Sequence, residues 1–403
     1  ERLTREKNRV GFPQHSVELL LEMEGLSPEE LDQVVIATQD WRSQELFLFA
    51  RNFMELGQES FAKRTYRHLA WRYPGLGSWL SAAKRQLERS REVGAKRRVI
   101  DYYRDNLKVK EEKIAFADHH LAHSFAPLFN IPREESWLVF SLDGEGDGLC
   151  ATVNLCHNGE LKRLSHTGDH SSLGWLYLSL TKYLGMRPNE DEFKVMGLAP
   201  YAKEVEAPYN LLKELIWVEG VRFNSRFRMQ NSLQFLREKL GGFRFDNLAG
   251  ALQRLTEELT VEWVRNGVRA TGVRNVALTG GVFMNVKANL AISSLPEVER
   301  LWVMPSCGDE SLAMGASLYG YWTLCKERGL PFNPQPLKDL CLGPQYREEE
   351  IFQFLKANRY FEKYRITRAD SPGEVAKLLA VGEIVARFSG RMEWGARALG
   401  NRS

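Results

Sequence analysis

A chain of 403 residues with 43% hydrophobic and 27% charged residues can bury a substantial core, which predicts a soluble globular protein of more than one domain. A formal net charge of +3 is too small for this length to indicate a nucleic-acid partner, because that inference needs basic residues concentrated on one surface. The five cysteines form no CxxC pair and no apolar stretch is long enough for a bilayer, so we expect a reducing, cytoplasmic location without disulfides, structural zinc or membrane insertion.

The sequence pattern of the first third of the chain is mainly that of polar helices. The sequence predicts a helix start at 27–30, a buried strand at 34–37 and a helical insertion at about 41–113. Aromatic residues alternate with basic ones in this insertion, as they do in some nucleic-acid surfaces. At helical spacing this pattern is more typical of a core face beside a solvated face. We therefore expect no nucleic-acid partner.

From Ser136 onward, short strands alternate with helices. The predicted elements, in chain order, are strands at 137–142 and 150–156, a hairpin turn at 157–159 into a third strand, helices at about 171–186 and 246–271, a strand at 275–279, a helix beginning near Asn285, a strand at 300–304 and a helix at 309–325. This order predicts a mixed α/β fold with hairpins as well as crossovers.

A proline-rich segment at 331–340 predicts a linker, because proline lacks a backbone donor and resists helix formation. Beyond it we expect helices at 348–358 and 371–381 and a strand at 383–388. We interpret residues 1–330 as one domain whose first strands are missing, and residues 341–403 as the truncated start of a second.

The segment Asp118-His119-His120-Leu121-Ala122-His123 is the first candidate site. His119 and His123 are four residues apart and would share one face of a helix, where two imidazoles can bind one cation. Imidazole suits iron, zinc or nickel, and carboxylates usually complete such a shell. The alternative is a purely structural helix start. Three of the eight histidines fall within the five residues 119–123, which favours the metal site.

Two glycine-rich junctions are candidates for nucleotide binding. Residues 141–148 form a turn with three acidic groups and three glycines, which could hold a cation or a phosphate or could be a plain hairpin turn. Residues 277–285 run from a strand through a Gly-Gly pair into a helix, an arrangement that presents backbone amides to an anion. Asp309 follows the next strand, where its default role is a helix N-cap.

The segment 390–403 contains three arginines and three glycines. Guanidinium groups bind phosphate and carboxyl oxygens in a bidentate manner, so this segment predicts a site for a phosphorylated substrate. A surface ion-pair cluster is the alternative.

Six motifs in order, DHHLAHS, SLDGEGDG, NEDEFKVMGLAPYAKE, LTGGVFMNV, PSCGDES and GRMEWGARALGNRS, resemble those of the carbamoyltransferase family that includes nodulation and antibiotic-tailoring enzymes. The resemblance extends from the first residue to the last. It implies an α/β fold with an actin-like ATPase core, a duplicated ββαβα-type unit carrying a helical insertion, followed by the start of a carbamoyl-adenylate-forming α/β domain. It also implies a catalytic histidine that this chain lacks, so the chain could be inactive alone.

The resemblance assigns roles to the residues of these motifs. It implies a divalent metal, with iron expected, bound by His119, His123 and Asp309 and by Asp143 as a fourth ligand. The remaining assignments are nucleotide binding by Gly144, Gly146, Gly280, Gly281 and Asn285, carbamoyl phosphate and ATP binding by Arg391, Arg397 and Arg402, and neutralisation of a phosphate by Lys194. For Lys194 an ordinary ion pair is an almost equal alternative.

The implied activity is ATP-dependent O-carbamoylation. Carbamoyl phosphate and ATP, with Mg²⁺, would give carbamoyl adenylate, and the carbamoyl group would pass to a hydroxyl of a sugar-like small molecule. Two alternatives stay open: an actin-fold sugar kinase, which needs neither the paired histidines nor the arginine segment, and a non-catalytic partner that binds metal or nucleotide within a complex. The acceptor and the oligomeric state, including a homodimer, are not specified by these motifs.

Overall fold

The computed structural model describes residue 3 and the ranges 11–49, 94–367, 372–386 and 388–395. Two compact units divide the chain, one formed by Glu1–Gln335 and the other by Pro336–Ser403. The first contains every strand named below.

The described helices are α1 (Gln14–Glu24), α2 (Trp41–Phe49), α3 (described over 94–107), α4 (His119–Phe125), α5 (Leu173–Tyr183), α6 (Glu192–Leu198), α7 (Glu206–Lys213), α8 (Ser232–Lys239), α9 (Phe245–Thr271), α10 (Val286–Ser293), α11 (Leu312–Arg328), α12 (Glu348–Ala357), α13 (Tyr360–Lys363) and α14 (Pro372–Ala380). The described strands are β1 (Val34–Ile36), β2 (Ile114–Phe116), β3 (Trp137–Gly146), β4 (Leu149–His157), β5 (Glu160–Gly168), β6 (Ile216–Glu219), β7 (Arg222–Ser225), β8 (Asn275–Thr279) and β9 (Arg300–Val303).

A five-stranded sheet in the order β5-β4-β3-β8-β9 forms the centre of the first unit. Strands β3, β4 and β5 are an antiparallel meander, whereas β8 and β9 join parallel to β3 through connections that contain helices. Asn158 and Gly159 both have positive φ, 51° and 73°, which is the geometry that the predicted hairpin turn between β4 and β5 requires. The predicted α/β class, with hairpins and crossovers, is therefore confirmed.

This meander followed by two parallel strands is the arrangement of one half of an actin-like core, as the resemblance implied. The described residues also contain a parallel pair, β1 with β2, and an antiparallel hairpin of β6 with β7. Duplication of the core unit stays a prediction.

Alternate residues of β3 face two different helical layers. On one side Phe140 contacts the ring of Trp263 from the 27-residue helix α9, with ring centroids 4.9 Å apart. On the other side Trp137 and Val139 pack with Phe125 and Leu318. Because both faces are covered, the first six residues of β3 are buried and its end is held in place by packing.

Helices α4 and α11 approach each other closely through Gly315. A Cβ atom at this position would lie 1.7 Å from the carbonyl oxygen of Ala122, so only glycine permits the contact. The close approach brings the start of α11, just after Asp309, beside the histidines of α4.

Most predicted elements agree with the structure, and one does not. The strand predicted at 275–279 coincides with β8, and the helices predicted at 348–358 and 371–381 correspond to α12 and α14. The strand predicted at 383–388 is wrong over 383–386, which have no regular structure. The apolar residues there predicted a buried strand, but Ile384 is fully exposed and pairs with no strand among the described residues. Residues 50–93 of the predicted helical insertion lie outside the described residues.

All five cysteines are free thiols. Among the helices that the structure describes, none has both the length and the apolar composition that crossing a membrane requires. Residues 331–339 contain neither helix nor strand. The functional identities that the sequence suggested for the two domains stay predictions.

Candidate metal centre

Helix α4 carries the two histidines on one face. Asp118 caps its first turn, because the side-chain oxygen accepts a hydrogen bond from the Leu121 amide at 2.8 Å. His119 and His123 are one turn apart, with ring centroids separated by 4.8 Å. His120 faces the sheet instead, where its Nδ1 lies 2.8 Å from the hydroxyl of Ser141. The helical spacing therefore separates a candidate ligand pair from a structural histidine.

Two carboxylates converge on this pair. Oδ2 of Asp143, near the end of β3, lies 3.2 Å from Nε2 of both His119 and His123. Oδ1 of Asp309 lies 3.7 Å and 3.6 Å from the same two nitrogens. One ligand atom from each of the four side chains falls within 4.8 Å of all the others. His123 is fully buried and the Asp309 side chain is 71% exposed, so the cluster is accessible from the Asp309 side.

The second oxygen of Asp143 joins this cluster to both glycine-rich junctions. Oδ1 accepts hydrogen bonds from the amides of Gly144 at 2.7 Å and Gly281 at 3.3 Å. Strands β3 and β8 are parallel neighbours, which places the segments that follow them side by side. Gly280 has φ of 93°, in the left-handed region, and a Cβ atom there would lie 2.4 Å from the carbonyl oxygen of Leu142.

Further contacts orient the two imidazoles. Nδ1 of His123 lies 3.2 Å from the hydroxyl of Ser311, and the backbone amide of His119 donates to Oδ2 of Asp147 at 2.7 Å. The ring of His119 rests against the bare backbone of Gly146, where a Cβ atom would come within 2.2 Å of the ring. A hydrogen bond to the second nitrogen of a metal-binding imidazole fixes its tautomer and orientation, as Ser311 can do for His123.

Burial and hydrogen bonding shift the pKa values of His123 and Asp143 in opposite directions. Burial lowers the pKa of His123, but the hydrogen bonds that its ring donates to the carboxylates of Asp143 and Asp309 outweigh burial and raise that pKa to about 9. Burial raises the pKa of Asp143, but hydrogen bonds to His119 and His123 lower it well below its usual range. Burial also lowers the pKa of His120 to about 3, so this ring stays neutral. The cluster therefore pairs a carboxylate with a positive charge that a cation could replace.

The donor set fits a divalent transition metal. Two imidazole nitrogens and two carboxylate oxygens suit iron or zinc, and both histidines turn Nε2 toward the same carboxylate oxygen. The resemblance proposed these four residues, and the fold brings them together. No sequence pattern points to Ser311, and Asp147 appears in the sequence only as one of three acidic groups in the 141–148 turn, because each contacts α4 only through the tertiary fold.

The side chain of Asn285, a proposed nucleotide-binding residue, forms hydrogen bonds with other residues of the protein. It caps α10 through a hydrogen bond from the Ala288 amide at 3.1 Å. Its amide also exchanges two hydrogen bonds with the amide of Gln253, at 3.0 Å and 2.9 Å. These contacts fix the N-terminus of α10 beside the Gly-Gly junction, and direct contact of Asn285 with a nucleotide stays a prediction.

The remaining proposed residues lie on other elements. Lys194, on α6, is half-exposed and forms an ion pair with Asp191 at 2.8 Å, which is the alternative that the sequence left open. Arg391, in the second unit, donates to the carbonyl oxygens of Gly343 and Leu342 at 2.9 Å each. Arg397 and Arg402 lie outside the described residues.

Family models and relatives match most of the chain. Residues 1–318 match the model described as carbamoyltransferase N-terminus, and residues 376–403 match carbamoyltransferase C-terminus. Uncharacterized protein MJ1058 of Methanocaldococcus jannaschii is 31% identical over 331 residues, covering 74% of this chain and 52% of the relative. Nodulation protein NolNO of Sinorhizobium fredii is 30% identical over 306 residues, covering 73% of this chain and 44% of the relative. The chain thus spans about half the length of these relatives.

Among solved structures, the crystal structure of T. kodakarensis HypF matches with a TM-score of 0.38 and 18% sequence identity. The match covers 60% of this chain and 40% of that chain.

Replacing Gly146 with alanine should weaken cation binding. The added methyl group would overlap the ring of His119, so the ring or the turn must shift, which disturbs the contact of His119 with Asp143. Displacing a ligand in this way should lower the affinity for Co²⁺ or Fe²⁺ by about 10- to 100-fold, as loss of a supporting contact does at other metal sites. Isothermal titration calorimetry measures the change.

Gly144→Ala is the matched control, because a Cβ atom at Gly144 meets nothing within 4 Å. Equal affinities of the two variants would contradict the role of Gly146.

Cation affinity should rise with pH up to the raised pKa of His123. Below a pKa of about 9 this ring holds a proton that a cation must displace, so the apparent affinity should rise about tenfold per pH unit between pH 7 and pH 9 and then level off. Titration in buffers of different ionisation enthalpy measures the released proton. Asp309→Asn removes one of the two carboxylates that raise this pKa and should move the steep range to lower pH. A flat affinity from pH 7 to pH 9 would contradict this prediction.

Proposed function

The chain belongs to the carbamoyltransferase family, and on that premise we propose that the protein is an ATP-dependent O-carbamoyltransferase. Hydrolysis of carbamoyl phosphate releases inorganic phosphate and leaves carbamate, which displaces pyrophosphate from ATP to give carbamoyl adenylate. The carbamoyl group then passes to a hydroxyl of a sugar-like small molecule as AMP leaves. The observation that carries the proposal is the contact of Asp143 with both the histidine pair and the Gly-Gly junction. This contact supports the proposal, because a cluster of side chains suited to a cation lies beside a backbone suited to phosphate.

We propose that His119, His123, Asp143 and Asp309 hold a divalent cation, with iron as the expected ion. When bound there, such a cation supplies a Lewis acid that polarises a carbonyl oxygen. Asp143 orients both imidazoles through Oδ2, and Ser311 holds the second nitrogen of His123. The exposed side chain of Asp309 leaves this side of the cluster open to a substrate.

The glycine-rich junctions would receive the nucleotide. Gly144, Gly146, Gly280 and Gly281 place backbone without side chains around the Asp143 carboxylate, so that phosphate groups could approach closely. The aligned β3 and β8 ends support this proposal, since ligands of open α/β sheets bind at the carboxyl ends of the strands. Lys194 would neutralise a phosphate by exchanging its bond to Asp191.

Arginines in the second unit would bind carbamoyl phosphate and MgATP. We assign this role to Arg391, Arg397 and Arg402 from the resemblance, since guanidinium groups bind phosphate oxygens in a bidentate manner. Attachment of AMP gives the carbamoyl group a good leaving group, and polarisation of its carbonyl makes it a better electrophile. The two steps therefore need both an arginine-rich site and a metal site.

A sugar kinase would use the glycine-rich junctions, but phosphoryl transfer to a sugar does not need the cluster of histidines and carboxylates. Burying this many ionisable groups is costly unless they bind a partner. The cluster thus favours carbamoyl transfer over phosphoryl transfer to a sugar.

The expected reaction is release of pyrophosphate from ATP only when carbamoyl phosphate is present. A coupled pyrophosphate assay on metal-loaded protein of natural length measures it, because this chain spans about half the length of its relatives. Nucleotide analysis of the same samples separates AMP, which carbamoyl transfer produces, from ADP, which a kinase produces.

His119→Ala/His123→Ala is the control for the transfer step. It should abolish carbamoylation of the acceptor while the pyrophosphate step in the second unit continues. Release of ADP with a sugar would support the kinase, and the absence of any nucleotide turnover would support a non-catalytic partner. Either result would overturn the proposal.

A further inference from the structure

The carboxylate of Asp147 connects three parts of the first unit. Oδ2 accepts a hydrogen bond from the backbone amide of His119 at 2.7 Å. Oδ1 accepts three more, each at 2.8 Å, from the hydroxyl of Thr38 and the amides of Gln39 and Asp40. The β3–β4 turn is thereby tied both to the start of α4 and to the segment between β1 and α2.

The contact between Asp147 and the His119 amide is made at the first residue of α4, where it can fix the start of the helix. The amide of His119 is one of the helix-terminal donors that have no partner inside the helix. A carboxylate at this end of a helix also interacts favourably with the helix dipole. Asp118 satisfies the Leu121 amide of the same turn. Two carboxylates therefore fix the first turn of the helix that carries both histidines.

The same short segment controls both the backbone and the ring of His119. Asp143 contacts the ring, Gly146 provides the surface on which the ring rests, and Asp147 holds the backbone amide. His123 has an additional partner in Ser311, whereas the position of His119 depends on residues 143–147. Loss of the Asp147 contact should therefore affect His119 first.

We propose that Asp147 is a positioning residue of the metal centre, which sets the orientation of His119 by fixing the N-terminal turn of α4. This inference rests on the proposed metal site. Asp147 touches none of the four ligand side chains through its own carboxylate, and it acts through the His119 backbone. Outer contacts of this kind commonly change metal affinity by about 10- to 100-fold.

A competing explanation is that Asp147 serves only the hairpin turn. It has φ of 52° and is followed by Gly148 with φ of 80°, and Asp-Gly is a favoured pair for a turn with two positive φ angles. Asn-Gly serves such a turn equally well. Asparagine in place of Asp147 keeps the turn chemistry but replaces one of the two acceptor oxygens with a donor. The substitution therefore separates the two explanations.

The test compares Asp147→Asn with wild type and with Asp40→Asn. Asp40 belongs to the same joined segment, but its side chain accepts from Ser43 at 3.0 Å and 2.6 Å and does not contact α4, which makes it the matched control. Co²⁺ is the probe, and its affinity and visible absorption spectrum are both measured. Asp147→Asn should bind Co²⁺ about tenfold or more weakly with an altered spectrum. Asp40→Asn should match wild type in both.

An Asp147→Asn variant with wild-type affinity and spectrum would show that Asp147 serves only the turn. Wild-type protein that binds no Co²⁺ would instead overturn the proposed metal site. Circular dichroism of the metal-free proteins checks folding. If Asp147→Asn does not fold, Thr38→Val removes one donor from the same carboxylate. This variant should weaken Co²⁺ binding several-fold, and unchanged binding would overturn the inference.

Discussion

The carboxylate of Asp143 is the group on which the rest of the site depends. It is largely buried and ionised, and such a charge is costly unless every oxygen has partners. Nε2 atoms of two imidazoles lie within hydrogen-bond distance of Oδ2, and two backbone amides donate hydrogen bonds to Oδ1. These partners lie on three parts of the fold: α4, the end of β3 and the segment after β8. Removing the carboxylate would therefore disturb the histidine pair and the Gly-Gly junction together.

Close backbone approach makes this convergence possible. A side chain at Gly281 would lie 2.7 Å from Oδ1 of Asp143, one at Gly146 would overlap His119, and one at Gly315 would separate α4 from α11. Gly146 and Gly281 therefore have a structural role that is independent of any phosphate. Close packing is thus a second reason for glycine at these positions, beside the expected binding of a nucleotide.

The sequence could predict the features that depend on local spacing. The helical pairing of His119 with His123 and the limits of β8 both follow from patterns within a few residues, and the structure agrees with them. Asp309 and Asp143 could be predicted as metal ligands only from the family resemblance, because they are 166 residues apart in sequence (309 − 143). No periodicity connects residues at that distance.

The contacts that orient the ligands could not be predicted from local patterns either, because they also join residues that are distant in sequence. Ser311 reaches His123 across 188 residues, and Thr38 reaches Asp147 across 109. The strand predicted at 383–388 failed because an apolar run forms a strand only when another strand pairs with it. Local pattern thus predicted elements and candidate ligands, whereas the contacts that orient the ligands required the tertiary structure.

The metal content of the protein tests the central claim most directly. Wild type and the His119→Ala/His123→Ala variant are reconstituted anaerobically with Fe²⁺, freed of unbound ion and analysed by elemental mass spectrometry. If the four side chains form one metal site, wild type will retain about one ion per chain and the variant essentially none, since two of the four donors are gone. Equal metal content in a folded variant would contradict the assignment.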